Sequence, residues 1–283
     1  MKRHDQKMKR GMRMKKWMSI FIAIVMVVML AACGSKETAG GGESKEGTKD
    51  ESVLARIQEE KVINIGIEGV YPPFNYHDEE DKLVGFDVDI ANELASRMGV
   101  KPNFVETPWD TIIGGLLSQK YDIILSSMAI TPERQQKVDF TDPYFHTGAQ
   151  VFVNEGYDGI KDPEKDIKGK KIAVAIGTTF EAKATELGAQ VANYKSDLLT
   201  FQDLAANRVE GVITDKAVGA RIIKENGYPF KPIGDVLFEE AAGISLNKGE
   251  DELREEINKH LKKMKEDGTY KEISMKWFGE DIS

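Results

Sequence analysis

Residues 121–134, YDIILSSMAITPER, decide the fold. Positions 121–125 form a short apolar run of the kind that a fully buried strand carries. The run ends in two small hydroxyl residues, Ser126 and Ser127. Thr131-Pro132-Glu133 then opens a helix, with threonine as N-cap and proline in the first turn. Strand, small-residue loop and helix in that order make one α/β unit, and the same unit recurs outward in both directions.

Upstream, 61–67 and 101–106 read as strands, and 87–98 and 111–118 as helices. Downstream, 150–153 is extended, and a second series follows. Its strands fall at 171–175, 190–194 and 211–214, and its helices start at Thr179 and span 197–207 and 217–225. An extended stretch near 243–246 leads to helices at 251–266 and 270–277. Such alternation predicts an α/β chain with largely parallel sheets. Two series of similar size suggest two lobes, 53–150 with 244–283 and 151–243. The crossings are then expected near 151–154 and 243–246. Two crossing strands make a hinge, and a cleft between lobes suits a small ligand. One continuous sheet is the alternative.

The N-terminus has a different character. Eight basic residues lie within 2–16, and 17–32 is almost wholly apolar, ending in Leu30-Ala31-Ala32-Cys33-Gly34. This is the pattern of a secretory signal; a membrane span needs about 20 apolar residues. An uncleaved anchor with an incidental cysteine is the alternative. Residues 34–52 hold no large apolar side chain and read as a flexible tether, with a span of roughly 25 Å. The full chain carries 39 basic and 47 acidic residues. Without 1–32 it keeps 31 and 46, a net of −15. Such an acidic body suits neither nucleic acid nor an anionic membrane surface. Cys33 is the only cysteine, so no internal disulfide forms.

Arg134 falls in a first helical turn, where the dipole disfavours a cation and a bound carboxylate would compensate it. It reads equally as a surface arginine paired with Asp139 or Asp142. Gly177-Thr178-Thr179 is a second possible anion cradle at a helix start, or ordinary capping. Asp215 ends a strand, where it suits an ammonium group or an N-cap. Tyr71, Phe74 and Trp109 follow strands and would line a cleft or fill the core. Glu68 is then a cleft acid or a solvated loop charge. His4, His77, His146 and His260 form no metal-ligand spacing. No phosphate loop is present, and nothing looks like a nucleophile paired with its base.

Several stretches together carry a resemblance. They are Tyr71-Pro72-Pro73-Phe74, Gly85-Phe86-Asp87-Val88-Asp89, Ile130-Thr131-Pro132-Glu133-Arg134, Asp139-Phe140-Thr141-Asp142-Pro143-Tyr144, Gly177-Thr178-Thr179 and Asp267-Gly268-Thr269-Tyr270. From 61 to 278 the chain resembles the extracellular solute-binding proteins (family 3) of ABC importers for polar amino acids. Leu-Ala-Ala-Cys resembles the lipobox of bacterial lipoproteins.

The resemblance implies a two-lobed, periplasmic-binding-protein-like fold of type II. It implies a non-enzymatic monomer without cofactor or metal. Such a protein is tethered to the outer face of the cell membrane by a lipid on Cys33, with palmitate among its acyl chains, and serves an ABC permease and its ATPase. Arg134 and Thr179, with Thr178, would hold the ligand α-carboxylate, and Asp215 the α-ammonium. Ser127, Met128 and Ala129 would line the pocket. Tyr71, Phe74 and Trp109 would surround the side chain. Glu68 would favour a cationic one. Ala129 stands where binders of basic amino acids often carry serine, which keeps cystine and glutamine open as ligands. A prephenate or arogenate dehydratase resembles the same fold. The intact pair Arg134 and Asp215 disfavours it. The absence of a second apolar segment before Ser283 disfavours a sensor ectodomain.

Overall fold

The computed structural model describes residues 52–283. The leader, Cys33 and the tether up to residue 51 lie outside the described residues. Ser52 caps α1 (Val53–Glu60), its side chain accepting from the Ala55 amide. Then follow β1 (Val62–Ile67), the short strands β2 (Val70–Tyr71), β3 (Asn75–His77) and β4 (Leu83–Val84), and α2 (Phe86–Met98). Next come β5 (Lys101–Glu106), α3 (Trp109–Leu117), β6 (Ile123–Ile124), α4 (Pro132–Gln135) and β7 (Asp139–Phe140). The middle of the chain gives β8 (Phe145–Asn154), α5 (Pro163–Asp166), β9 (Lys171–Ala175), α6 (Thr179–Glu186), β10 (Gln190–Tyr194) and α7 (Asp197–Ala205). The last part gives β11 (Gly211–Asp215), α8 (Lys216–Asn226), β12 (Phe230–Ala242), β13 (Ser245–Leu246), α9 (Asp251–Glu266) and α10 (Thr269–Phe278).

Two five-stranded sheets form two lobes. The first runs β5-β1-β6-β13-β7 and the second β10-β9-β11-β8-β12. β5, β1 and β6 are parallel, as are β10, β9 and β11. β13 pairs antiparallel with β6 and β7, and β8 antiparallel with β11 and β12. Each sheet is therefore mixed rather than purely parallel, because the strands that cross between lobes run against the βα units. The expected crossing at 151–154 is displaced. Those residues are the far end of β8, paired with Phe230, Lys231, Pro232 and Ile233. The chain leaves the first sheet after Phe140 and joins the second at Phe145. It returns between Ala242 and Ser245.

Packing follows from sequence at α2. Phe86, Ile90, Ala91, Leu94, Ala95 and Met98 lie on one buried face, each large side chain worth roughly 1.5–3 kcal/mol of burial. The helix starts at Gly85, with φ 137°, where an added Cβ would sit 2.1 Å from the Phe74 carbonyl oxygen. Only glycine fits there, which explains the Gly-Phe-Asp sequence. Beside it Phe74, Phe86, Tyr144, Phe145 and Phe278 pack ring on ring, with Phe74 and Phe145 centroids 5.0 Å apart. Among the described residues no helix is long and apolar enough to cross a membrane.

Candidate functional site

The parallel strands of both sheets end at one cleft, as ligand sites of open α/β sheets do. Glu68 follows β1, Trp109 follows β5, and Ser126 and Ser127 follow β6. From the other lobe, Thr178 follows β9, Asp197 follows β10, and Asp215 ends β11. Together with Tyr71, Phe74, Ala129, Arg134, Thr179 and Glu240 they line one cavity.

Arg134 is the cation in that lining. α4 is a single turn, so the guanidinium, not a helix dipole, supplies the positive charge. Its Nη1 donates to the Ala129 carbonyl at 2.9 Å, and Nη2 donates to Gly177 of the other lobe at 3.3 Å. The guanidinium carbon lies 5.2 Å from the Trp109 ring centroid, and Trp109 Nε1 also donates to the Gly177 carbonyl at 3.3 Å. Burial pulls Arg134 below its ordinary pKa, against the opposing pull of Glu240 and Glu133. Among the described residues no carboxylate forms an ion pair with it. Asp139, the neighbour expected from sequence, pairs instead with Lys248 and Arg254.

Thr178 caps α6, its hydroxyl accepting from the Glu181 amide at 3.2 Å and donating to the Ala175 carbonyl at 2.6 Å. The residues that open α6, Thr179 and Phe180, line the same cavity as Arg134. Asp215 is buried and plays two parts. One oxygen accepts from the amides of Ala217 and Val218 at 2.7 and 3.3 Å, capping α8. The other accepts from the Thr147 hydroxyl at 2.5 Å and lines the cavity. Cap and cleft acid, posed as alternatives by the sequence, coexist in one side chain.

Ser127 adopts φ 53°, a left-handed conformation. Its hydroxyl donates to Asp87 at 2.8 Å, and its amide donates to the Tyr144 hydroxyl at 3.0 Å. Tyr144 in turn donates to Asp87 at 2.7 Å, and Asn75 donates to the same carboxylate at 2.8 Å while holding the Gly69 amide. A buried acid thus braces two of the cavity-lining loops. Met128 does not line the cavity. It packs with Ile112, Leu116, Tyr121, Ile124 and Val138, and its sulfur receives the Ser245 hydroxyl at 3.6 Å. Phe74 is both core and lining, 1% exposed.

Four acids, Glu68, Asp197, Asp215 and Glu240, border the cavity. Burial first, then these same four carboxylates, push the Tyr71 phenol upward, which places Tyr71 among them. Burial, then Asp197 and Asp110, push Glu68 up to about 8. Burial pushes Asp197 up to about 6 against Thr214, with Asp215 adding to the rise. Glu240 is raised by burial, against Thr179 and Arg134. Sequence reasoning missed Asp197 and Glu240. Among the described residues no group of three or more acid, histidine or cysteine side chains could hold a metal ion.

A raised Glu68 makes stability depend on pH. Its folded pKa exceeds the unfolded value near 4.5, so the folded state holds a proton that the unfolded state has lost between those values. Its contribution is full below about 4.5 and lost as pH rises through about 8. The ligand-free protein should melt at a lower temperature at pH 8 than at pH 6. Glu68→Gln should fall less steeply over that window in scanning calorimetry. Parallel curves for the two proteins would show that Glu68 is not buried as a neutral acid.

The profile of the bacterial extracellular solute-binding proteins, family 3, matches residues 63–280. The chain belongs to that family. It is 36% identical over 272 residues to the L-cystine-binding protein TcyA of Bacillus subtilis, covering 95% of this chain and 100% of that one. It is 38% identical over 242 residues to the L-arginine-binding protein of Pseudomonas aeruginosa, covering 81% of this chain and 92% of that one. An ancestral arginine-binding protein bound to glutamine superposes with a TM-score of 0.75 at 43% identity, covering 78% of this chain and 99% of that one.

Proposed function

We propose that this solute-binding protein is the receptor of an ABC importer and captures a polar L-amino acid with a cationic side chain between its lobes. The observation that carries the reading is Arg134, a half-buried guanidinium without an ion-pair partner among the described residues, in a cavity bordered by four acids. An amino acid complements this arrangement. Its carboxylate takes Arg134 and the α6 amides. Its ammonium takes Asp215, and a cationic side chain reaches Glu68. Tyr71, Phe74 and Trp109 enclose the stem. The carboxylate contacts both lobes, so the ligand favours the closed state over the open one. The hinge lies at 141–144 and 243–244. The relatives named for L-arginine and L-cystine support the amino-acid class.

Cystine is a second reading, favoured by the full-length match to TcyA. It carries two carboxylates, however, and Arg134 is the one arginine or lysine among the described residues that line the cavity. In our reading the protein binds as a monomer and catalyses no reaction. A lipid on Cys33 keeps it at the outer face of the membrane beside its permease, and a flexible tether raises its effective concentration there.

A thermal-shift screen of the twenty amino acids, ornithine and cystine tests the ligand class. Arginine, lysine, ornithine or histidine should give the largest upward shifts. A shift confined to acidic or apolar amino acids would contradict the proposal.

A further inference from the structure

We infer that Asp197 selects the ligand's side chain, acting from the second lobe as the counterpart of Glu68 in the first. The inference rests on the amino-acid reading above and names a residue that decides among such ligands. Asp197 is the first residue of α7, following β10, and is 3% exposed. It lines the cavity, and its Oδ1 and the Thr214 hydroxyl that acts on it are both buried, neither with any other hydrogen-bond partner. Buried carboxylates ordinarily have their oxygens paired, because an unpartnered one costs its lost hydration. Among the described residues Asp197 forms no ion pair. The carboxylates that act on it or feel it are Asp215 and Glu68.

An aspartate in a first helical turn is favourable wherever a helix starts. That accounts for its place on α7, but not for a buried acid without an ion-pair partner in the lining of the cavity. Two of the four acids adjoin the groups assigned to the amino-acid backbone. Glu240 adjoins Thr179 and Arg134, and Asp215 adjoins Thr147, at the end that takes the amino-acid backbone. Glu68 and Asp197 come from opposite lobes, and Asp197 acts on Glu68, which in this reading leaves the two for the side chain. A cation between them gives both acids a counter-ion. A guanidinium suits the place best, since its planar fork carries five N–H donors and can serve two carboxylates on different sides. The side chain then bridges the lobes a second time, and closure depends on its charge. An amide offers donors without charge and leaves both acids uncompensated.

The test is calorimetric titration of wild type and Asp197→Asn with L-arginine, L-lysine and L-glutamine, with Asp197→Ser as a second variant. Asparagine keeps the size of the side chain and removes its charge. Arginine affinity should fall by about tenfold or more, while glutamine affinity changes by less than about threefold. The melting temperature of the ligand-free variant should not fall, since a buried unpaired charge has been removed. A folded variant that keeps the wild-type preference for arginine over glutamine would overturn the assignment. Wild type that binds no cationic amino acid would instead overturn the receptor reading on which it rests.

Discussion

Replacing Arg134 with alanine should weaken binding of a cationic amino acid by at least about 2 kcal/mol, roughly 30-fold. The guanidinium is half-buried, held by the Ala129 and Gly177 carbonyls, and stacked on Trp109. Its carbonyl partners neutralise none of its charge, so the charge is free for a ligand. Without it, the α-carboxylate keeps only the α6 amides, while Glu240 and Asp215 repel it uncompensated. The stability of the ligand-free protein should change far less, because a desolvated cation without an ion pair contributes little to folding. Calorimetric titration with arginine, paired with thermal scans, separates the two effects. Near-normal affinity in a folded Arg134→Ala protein would remove the carboxylate assignment.

The second large effect is expected at Asp215, where cap and ligand partner must be told apart. Asparagine caps helices as well as aspartate does, so Asp215→Asn keeps acceptors for Ala217 and Val218 and loses only the charge. Its melting temperature should stay close to wild type, while affinity for the amino acid drops by about 30-fold or more. Asp215→Ala should lose both, with about 1 kcal/mol of stability going with the cap. If Asp215→Asn bound normally while Asp215→Ala were merely less stable, the cap would be the whole role of this residue.

Much of this site was legible in the chain because its parts stand at strand ends. Buried parallel strands read as short apolar runs, so Glu68, Ser127, Thr178 and Asp215 stood out at or just past strand ends, while their ligand roles came from the family resemblance. What could not be read depended on distant packing. Whether Arg134 is free or paired turns on Lys248 and Arg254, more than a hundred positions downstream, which occupy Asp139. Glu240 was missed with its strand. β12 is an edge strand containing Pro232 and Gly234, with an irregular register between Ile233 and Phe238, and it lacks strand periodicity. The strands β2 to β4 are too short to leave a pattern, and α1 was hidden beside the polar tether. Asp197 reads as an ordinary helix start. Its burial follows from where β10 ends, not from its neighbours in sequence. Met128 was assigned to the lining with Ser127 and Ala129, yet the chain turns it into the core of the first lobe.

The central claim is a geometry, one amino acid held at its carboxylate by Arg134, at its ammonium by Asp215 and at its side chain by the acids of both lobes. A crystal structure of the protein grown with L-arginine tests it most directly. The account predicts one bound arginine in the cavity, its α-carboxylate paired with Arg134 and the start of α6. Its α-ammonium should lie on Asp215 and its guanidinium between Glu68 and Asp197. An arginine bound in the reverse sense, or an empty cavity at saturating arginine, would contradict it.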